Sequence, residues 1–156
     1  MKYIGLAVAI GALFCFMRLY LKSLSARRLC YLEISMLIGH ISEGLRTKRE
    51  TLSELCSEVE CIQLSECGFI HLAIEEGRLE EGVGCLTLDE ADRAKLLEFL
   101  SGFGEGYLDT ELKRAEGAFS HFEKRAETEN KEYPNRRRIA LLLFCSFAVS
   151  IALLCI

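Results

Sequence analysis

The sequence predicts an all-α protein, an antiparallel helical bundle of about five to six helices between two transmembrane helices. Long apolar runs occupy both ends of the 156-residue chain. Between them, apolar residues recur every three or four positions, which is the spacing of one helix face. The alternation that is typical of strands is nearly absent there. A helical bundle is therefore the arrangement that fits the middle of the chain.

The apolar runs are interpreted as membrane anchors, residues 1–21 and 136–156. Ile139 to Ile156 is a stretch of 18 residues without charge. As a helix it would span roughly 27 Å, close to the ~30 Å hydrocarbon core of a bilayer. The N-terminal run is uncharged from Tyr3 to Met17, and a cleaved signal peptide is the alternative interpretation of that run.

Basic collars border both anchors on the side of the middle region. They consist of Arg18, Lys22, Arg27, Arg28, Arg136, Arg137 and Arg138. Positive residues stay on the cytoplasmic side of a membrane. Residues 22–28 are thus the first collar, and the bundle, residues 29–135, is predicted to be the cytoplasmic loop of a two-pass membrane hairpin.

The middle region is acidic, with 11 basic and 23 acidic residues and a formal net charge of −12. This charge argues against nucleic acid as a partner. The densest basic segment within it is Arg46-Thr47-Lys48-Arg49. A charged connection usually only solvates a turn, but Arg46, Lys48 and Arg49 are also the candidates for docking an acidic partner.

Helical spacing divides the first half of the bundle into three segments. One helix is predicted from the first collar to about Leu45. Thr51 begins a capping-box pattern that opens a second helix, whose apolar face extends to Ile62. A short third helix follows around residues 69–76. Gly77, Gly82 and Gly84 then predict a loop.

The second half is predicted to contain two further helices. Thr87 begins another capping box and opens a helix that buries Leu96 and Leu100. A glycine-rich turn that includes Gly106 follows, and Asp109 is expected to cap the last helix. That helix carries an apolar seam with the heptad-like positions Leu108, Leu112, Ala115, Phe119, Phe122 and Ala126. Pro134 is expected to end the soluble stretch.

Candidate chemical sites in the sequence are weak. Cys56, Cys61, Cys67 and His71 are spaced too widely for a compact zinc site, which uses ligand pairs two to four residues apart. The acidic surroundings of Cys61 disfavour a reactive thiolate. We therefore predict no catalytic residue, no metal site, no cofactor and no small-molecule substrate.

Two segments carry a resemblance to a known family. They are "LEISMLIGHISEGLRTKRETLSELC" and "LEFLSGFGEGYLDTELKRA", placed between the two anchors. In this layout the chain resembles the stage III sporulation protein AB family of endospore-forming bacteria. Leu108 and Lys113 stand where that family tends to have serine and glutamine, and the last anchor lacks the family's glycines.

The resemblance implies a non-enzymatic platform subunit of the secretion-like channel complex between mother cell and forespore, which supports late forespore gene expression. It also implies similarity to the cytoplasmic domain of inner-membrane platform proteins of type II secretion and type IV pilus systems. The implied location is the outer forespore membrane, facing the mother cell. The implied partners are a secretion-type ATPase, stage III sporulation protein AA, and other membrane subunits of the complex. Two alternatives stay open: a membrane-tethered thiol or metal sensor, and a generic membrane adaptor outside sporulation.

Overall fold

The computed structural model describes residues 2–47, 52–104 and 106–155, and every regular element in them is a helix. This confirms the predicted all-α class. The α-helices are α1 (Lys2–Thr47), α2 (Leu52–Ser57), α3 (Ile62–Glu66), α4 (Leu79–Gly84), α5 (Glu90–Ser101) and α6 (Leu108–Cys155), with a π-helix (Ile70–Glu75) between α3 and α4.

The two long helices, α1 and α6, run antiparallel beside each other. Phe16 meets Phe144 near one end, Arg27 meets Glu129 further along, and Arg46 meets Glu116 near the other end. At ~1.5 Å per residue, each helix is roughly 70 Å long. Both are therefore rods that continue from the predicted anchors, through the collars, into the bundle.

Pro134 lies inside α6, and the helix continues through it. A proline removes one backbone hydrogen bond and crowds the preceding turn. Pro134 is exposed, and its neighbours on the inner face, Arg136 and Ala140, keep their contacts or burial. The rest of the 48-residue helix thus holds the segment in place, and the chain does not break where the soluble stretch was expected to end.

The short elements pack on the α1–α6 pair and enclose one apolar core. Its largest fully buried side chains include Tyr31, Ile34, Ile38, Ile41, Leu55, Leu64, Phe69, Leu86, Leu96 and Phe122. The seam predicted on α6 is buried at Ala115, Phe122 and Ala126, whereas Leu108 is half exposed at the helix start. Hydrophobic periodicity therefore located the core face of both long helices.

The predicted second helix is divided into α2 and α3. The carboxylate of Glu33 on α1 accepts hydrogen bonds from the backbone amides of Gln63 (3.0 Å) and Leu64 (2.9 Å). Those amides are free because they belong to a first helical turn, so Glu33 caps α3 from a neighbouring helix. A new helix thus begins at Ile62, whose side chain is 70% exposed rather than buried.

The segment with Gly82 and Gly84, predicted as a loop, forms α4. A Cβ atom on Gly82 would lie 2.6 Å from Ala73 Cβ and 2.8 Å from Ala73 N. The glycine therefore permits α4 to approach the π-helix at backbone distance. Gly77, with φ of +71°, occupies the left-handed region before α4, as a turn residue does.

The prediction that Thr87 and Asp109 cap helices is wrong, because neither residue occupies an N-cap position. Thr51 falls outside the described residues. The N-cap of α5 is Asp89, two residues after Thr87. α6 begins at Leu108, so Asp109 lies in its first turn, and the Gly106 amide donates to Glu111 Oε1 at 3.0 Å.

Candidate functional site

The N-terminal part of α1 and the C-terminal part of α6 form an apolar pair of helices. The Phe16 and Phe144 rings meet edge to face with centroids 5.9 Å apart, and Tyr20 lies 6.3 Å from Phe144. A cleft of about 360 Å³ lies between the two helices and is lined mostly by apolar side chains. Large apolar side chains also point outward on both helices: Val8, Phe14, Phe16, Leu19, Leu142, Leu143, Phe147, Val149 and Leu153.

One helix among the described residues, α1, is long and apolar enough to span a membrane by length and composition. Its apolar window lies near the N-terminus and is not buried inside the protein. An uncovered apolar surface of this length is typical of a segment in contact with lipid.

The seven predicted collar residues divide into two groups. Arg18, Lys22, Arg137 and Arg138 are exposed. Arg27 and Arg136 form ion pairs, and the Arg28 guanidinium lies over the Tyr133 ring, 5.1 Å from its centroid. Three collar residues therefore help to hold the helices together, which their position in the sequence did not indicate.

A charged cluster, here called the ion-pair layer, lies between the apolar pair and the rest of the bundle. It joins α1, the start of α5 and α6, and its members are Arg27, Tyr31, Asp89, Asp92, His121, Arg125, Glu129 and Arg136.

Arg27 and Arg136 share the buried carboxylate of Glu129. Arg27 Nε and Nη2 donate to Glu129 Oε1 at 3.1 and 3.0 Å, and Arg136 Nη1 donates to Oε2 at 3.0 Å. Arg27 Nη2 also reaches both carboxylate oxygens of Asp89 at 2.9 Å. One arginine of α1 thus ties α6 to the first turn of α5.

Asp92 is the centre of the other half of the layer. Tyr31 OH donates to Asp92 Oδ2 at 2.7 Å, and Arg125 Nε donates to the same oxygen at 2.8 Å. His121 Nε2 lies 2.8 Å from Asp92 Oδ1. Arg125 Nη2 also contacts Asp89, so three side chains from α1 and α6 surround the carboxylate of α5.

The protonation of this half follows from those contacts. Burial raises the pKa of Asp92, but hydrogen bonds from Tyr31, His121 and Arg125 outweigh burial, and the net pKa is below its ordinary value. Burial, with the neighbouring Asp92 carboxylate, raises the pKa of Tyr31 to about 12. Tyr31 is fully buried, so no substrate reaches its hydroxyl. The layer joins α1, α5 and α6 through hydrogen bonds and ion pairs between its members.

Three thiols of the bundle, those of Cys30, Cys56 and Cys61, are buried, whereas Cys85 is exposed. Burial raises the pKa of Cys30 and of Cys56 to about 12 and that of Cys61 to about 11. A thiolate is the nucleophilic and metal-binding form, so these cysteines are poor sensors at neutral pH. Within residues 2–47, 52–104 and 106–155, no group of three His, Cys, Asp or Glu side chains is placed to hold a metal ion.

Of the predicted docking residues, Arg46 is described, and Lys48 and Arg49 lie outside the described residues. Arg46 is exposed at the end of α1 and pairs with Glu116 of α6. It borders a surface groove with Gly39, Ser42 and Phe119.

The ion-pair layer was missed because its members are far apart in the sequence. The Tyr31–Asp92 bond joins residues 61 positions apart, and the Arg27–Glu129 bond joins residues 102 positions apart. The available signal was the pair His121 and Arg125, four residues apart and each one position before a seam residue, which places both at the edge of the buried face of α6.

Comparison of the chain with known proteins found no matching family model, no matching curated protein and no matching solved structure. Membership of the stage III sporulation protein AB family therefore stays a prediction that rests on the residues alone.

Proposed function

We propose that the protein is a non-enzymatic platform subunit of a membrane complex, and that it presents a cytoplasmic helical bundle on a two-pass membrane hairpin. The observation that carries the proposal is the apolar pair formed by the ends of α1 and α6. Its aromatic side chains meet at Phe16 and Phe144, while other large apolar side chains point outward without cover. A soluble protein would bury such a surface.

The charges support the cytoplasmic orientation of the bundle. Four exposed basic residues, Arg18, Lys22, Arg137 and Arg138, flank the apolar pair on the side of the bundle. Such residues stay in the cytoplasm when a helix inserts. The ion-pair layer then lies just beyond the membrane surface, where it joins the hairpin rigidly to the bundle.

The proposed setting is the channel complex of endospore formation, at the outer forespore membrane, with a secretion-type ATPase as the cytoplasmic partner. This part rests on the resemblance of the two sequence segments. The members of the ion-pair layer bind one another across three helices, which fits a scaffold, and the raised pKa values of Cys30, Cys56 and Cys61 disfavour a sensor that uses these three thiols.

Topology is tested with the full chain in sealed inverted membrane vesicles. We expect the protein to resist alkaline extraction and added protease to degrade residues 29–135 while both apolar segments stay protected. Release by alkali, or a bundle that is protected from protease, would contradict the hairpin.

Partner docking is tested separately by charge reversal. Replacing Arg46, Lys48 and Arg49 with Glu should reduce co-purification of the ATPase from membranes, whereas Lys124→Glu on the exposed face of α6 should leave it unchanged. Equal recovery with all variants would exclude this docking site. No recovery of the ATPase with the wild-type chain would favour an adaptor outside the sporulation complex.

A further inference from the structure

A cationic groove lies between α5 and α6, on the side of the bundle remote from the membrane hairpin. It encloses about 250 Å³, and Lys95, Lys113 and Arg114 line it together with Glu98 and the buried Phe99. Three of the 11 basic residues of the acidic middle region thus surround one groove. Arg114 Nη1 donates to the Gly102 carbonyl at 2.6 Å, which holds its guanidinium at the rim.

Gly117 leaves this groove open. It lies within α6, where glycine weakens a helix by about 0.5–1 kcal/mol relative to alanine. A Cβ atom there would meet nothing within 4 Å, so packing inside the chain does not require the glycine. Without a side chain, Gly117 adds to the open space of the groove.

An acidic edge lies on the opposite side of α5. Glu75, Glu76, Glu80 and Glu81 are all exposed there, around the single arginine Arg78. Arg78 pairs with Glu76 and with Glu81. His71 contacts Glu75 at 2.9 Å and Glu76 at 3.2 Å. The four carboxylates still outnumber Arg78 and His71, so the edge keeps a surplus of negative charge that is complementary to the cationic groove.

Both surfaces flank the same part of α5, and so lie at a similar distance from the membrane. Lys95 and Glu98 line the cationic groove, while Leu97 and Ser101 contact the segment 77–81 that carries the acidic edge. Two copies anchored in one membrane could thus bring the groove of one against the edge of the next by rotation about the membrane normal.

We propose that copies of this chain associate head to tail, with the cationic groove of one copy binding the acidic edge of its neighbour. The contact is heterologous, because the two surfaces differ. Repeated about one axis, such a contact forms a ring where the rotation closes and an open row of copies where it does not. The common membrane plane rests on the proposed hairpin, whereas the contact itself rests only on the two surfaces.

Sedimentation of the full chain in density-matched detergent micelles tests the contact independently of topology. We expect association at about 50 mM salt that weakens at about 500 mM, where charges are screened within a few Å. Lys95→Glu with Lys113→Glu, and separately Glu80→Lys with Glu81→Lys, should each weaken association at least about tenfold, because like charges then face each other.

The chain that carries all four reversals should associate again, since both surfaces have exchanged sign. An equimolar mixture of the two double variants should associate as the wild type does, with the two variants alternating, because each groove then meets an edge of opposite charge, whereas each double variant alone should not. The control is Lys124→Glu with Lys131→Glu, which changes the net charge equally on the same face of α6. The two lysines lie about 16 and 27 Å beyond Lys113 toward the membrane hairpin, and this variant should associate as the wild type does.

Three results would overturn the proposal, provided circular dichroism confirms that the variants are folded. The first is a monomeric wild-type chain at low salt, and the second is a chain with all four reversals that stays dissociated. The third is a control variant that loses association as strongly as Lys95→Glu with Lys113→Glu. If the topology test fails but the charge-reversal variants associate as expected, the membrane hairpin is rejected, whereas the contact between groove and edge is retained.

Discussion

Asp92 is a carboxylate that is almost removed from solvent and yet keeps its charge. A buried charge is costly unless donors replace the lost water. Tyr31, His121 and Arg125 supply three such contacts, each within 2.8 Å. Together, these contacts lower the pKa of Asp92 by more than burial raises it. This one residue thereby couples α5 to both long helices.

The lowered pKa of Asp92 makes stability dependent on acid. The unfolded chain, with an aspartate pKa of about 3.9, binds the proton more readily than the folded chain does. The contribution of Asp92 to stability is therefore present above about pH 4 and is lost as the pH falls through the folded-state pKa. We expect the urea midpoint of the full chain in detergent, followed by circular dichroism, to fall over that range.

Asp92→Asn removes the titrating group and should flatten this dependence, while it lowers stability at neutral pH by about 1–3 kcal/mol, since charged hydrogen bonds are lost. Glu43→Gln, at an exposed carboxylate of α1, is the matched control and should keep the wild-type slope. An unchanged slope in Asp92→Asn would assign the acid sensitivity to other groups.

At the scale of the elements, the sequence predicted what repeats locally. The helical spacing of Ile34, Ile38 and Ile41 located α1, and the seam through Ala115 and Phe122 located α6, because both patterns are set by burial against one neighbour. The same spacing failed at Ile62, where a carboxylate from another helix starts a new helix. The loop that three glycines predicted was also wrong at α4, because Gly82 lies inside a helix and allows a close contact with the π-helix.

Two glycines in helices should respond oppositely to alanine. Gly82→Ala is expected to destabilise the protein because its Cβ would collide with the Ala73 backbone nitrogen at 2.8 Å, which cannot move aside cheaply. Gly117→Ala has open space and should stabilise α6 by about 0.5–1 kcal/mol. Thermal unfolding of both variants measures the contrast, and equal shifts would mean that α4 does not approach the π-helix so closely.

At the scale of the whole molecule, the collar arginines divide into those that pair with other side chains and those that are exposed. Arg136 pairs with the buried Glu129, whereas Arg137 and Arg138 are exposed next to it. Composition predicts all three as topology signals, but only the tertiary structure assigns Arg136 to the ion-pair layer. The same distinction separates Arg27 from Arg18 and Lys22 on α1.

Arg136→Gln should therefore lower thermal stability, by about 1–3 kcal/mol, since Glu129 loses a charged donor. Arg137→Gln with Arg138→Gln should leave stability within about 0.5 kcal/mol. The double variant should instead increase the fraction of chains whose bundle is protected from protease in inverted vesicles, because the positive charge that retains it is reduced. Loss of stability in the double variant, or normal stability in Arg136→Gln, would contradict the division.

The pairing of α1 with α6 also sets the order of events during synthesis. Roughly 60 residues separate the end of α1 from the start of α6. At about 5–20 residues per second, a ribosome needs roughly 3–12 s to make them. Throughout that interval, the face of α1 that packs on α6 has no partner from α6. Contacts between segments that are far apart in the sequence also form slowly. In the proposed membrane hairpin, the interval before α6 is made is therefore the stage at which α1 is most open to pairing with a helix of another protein.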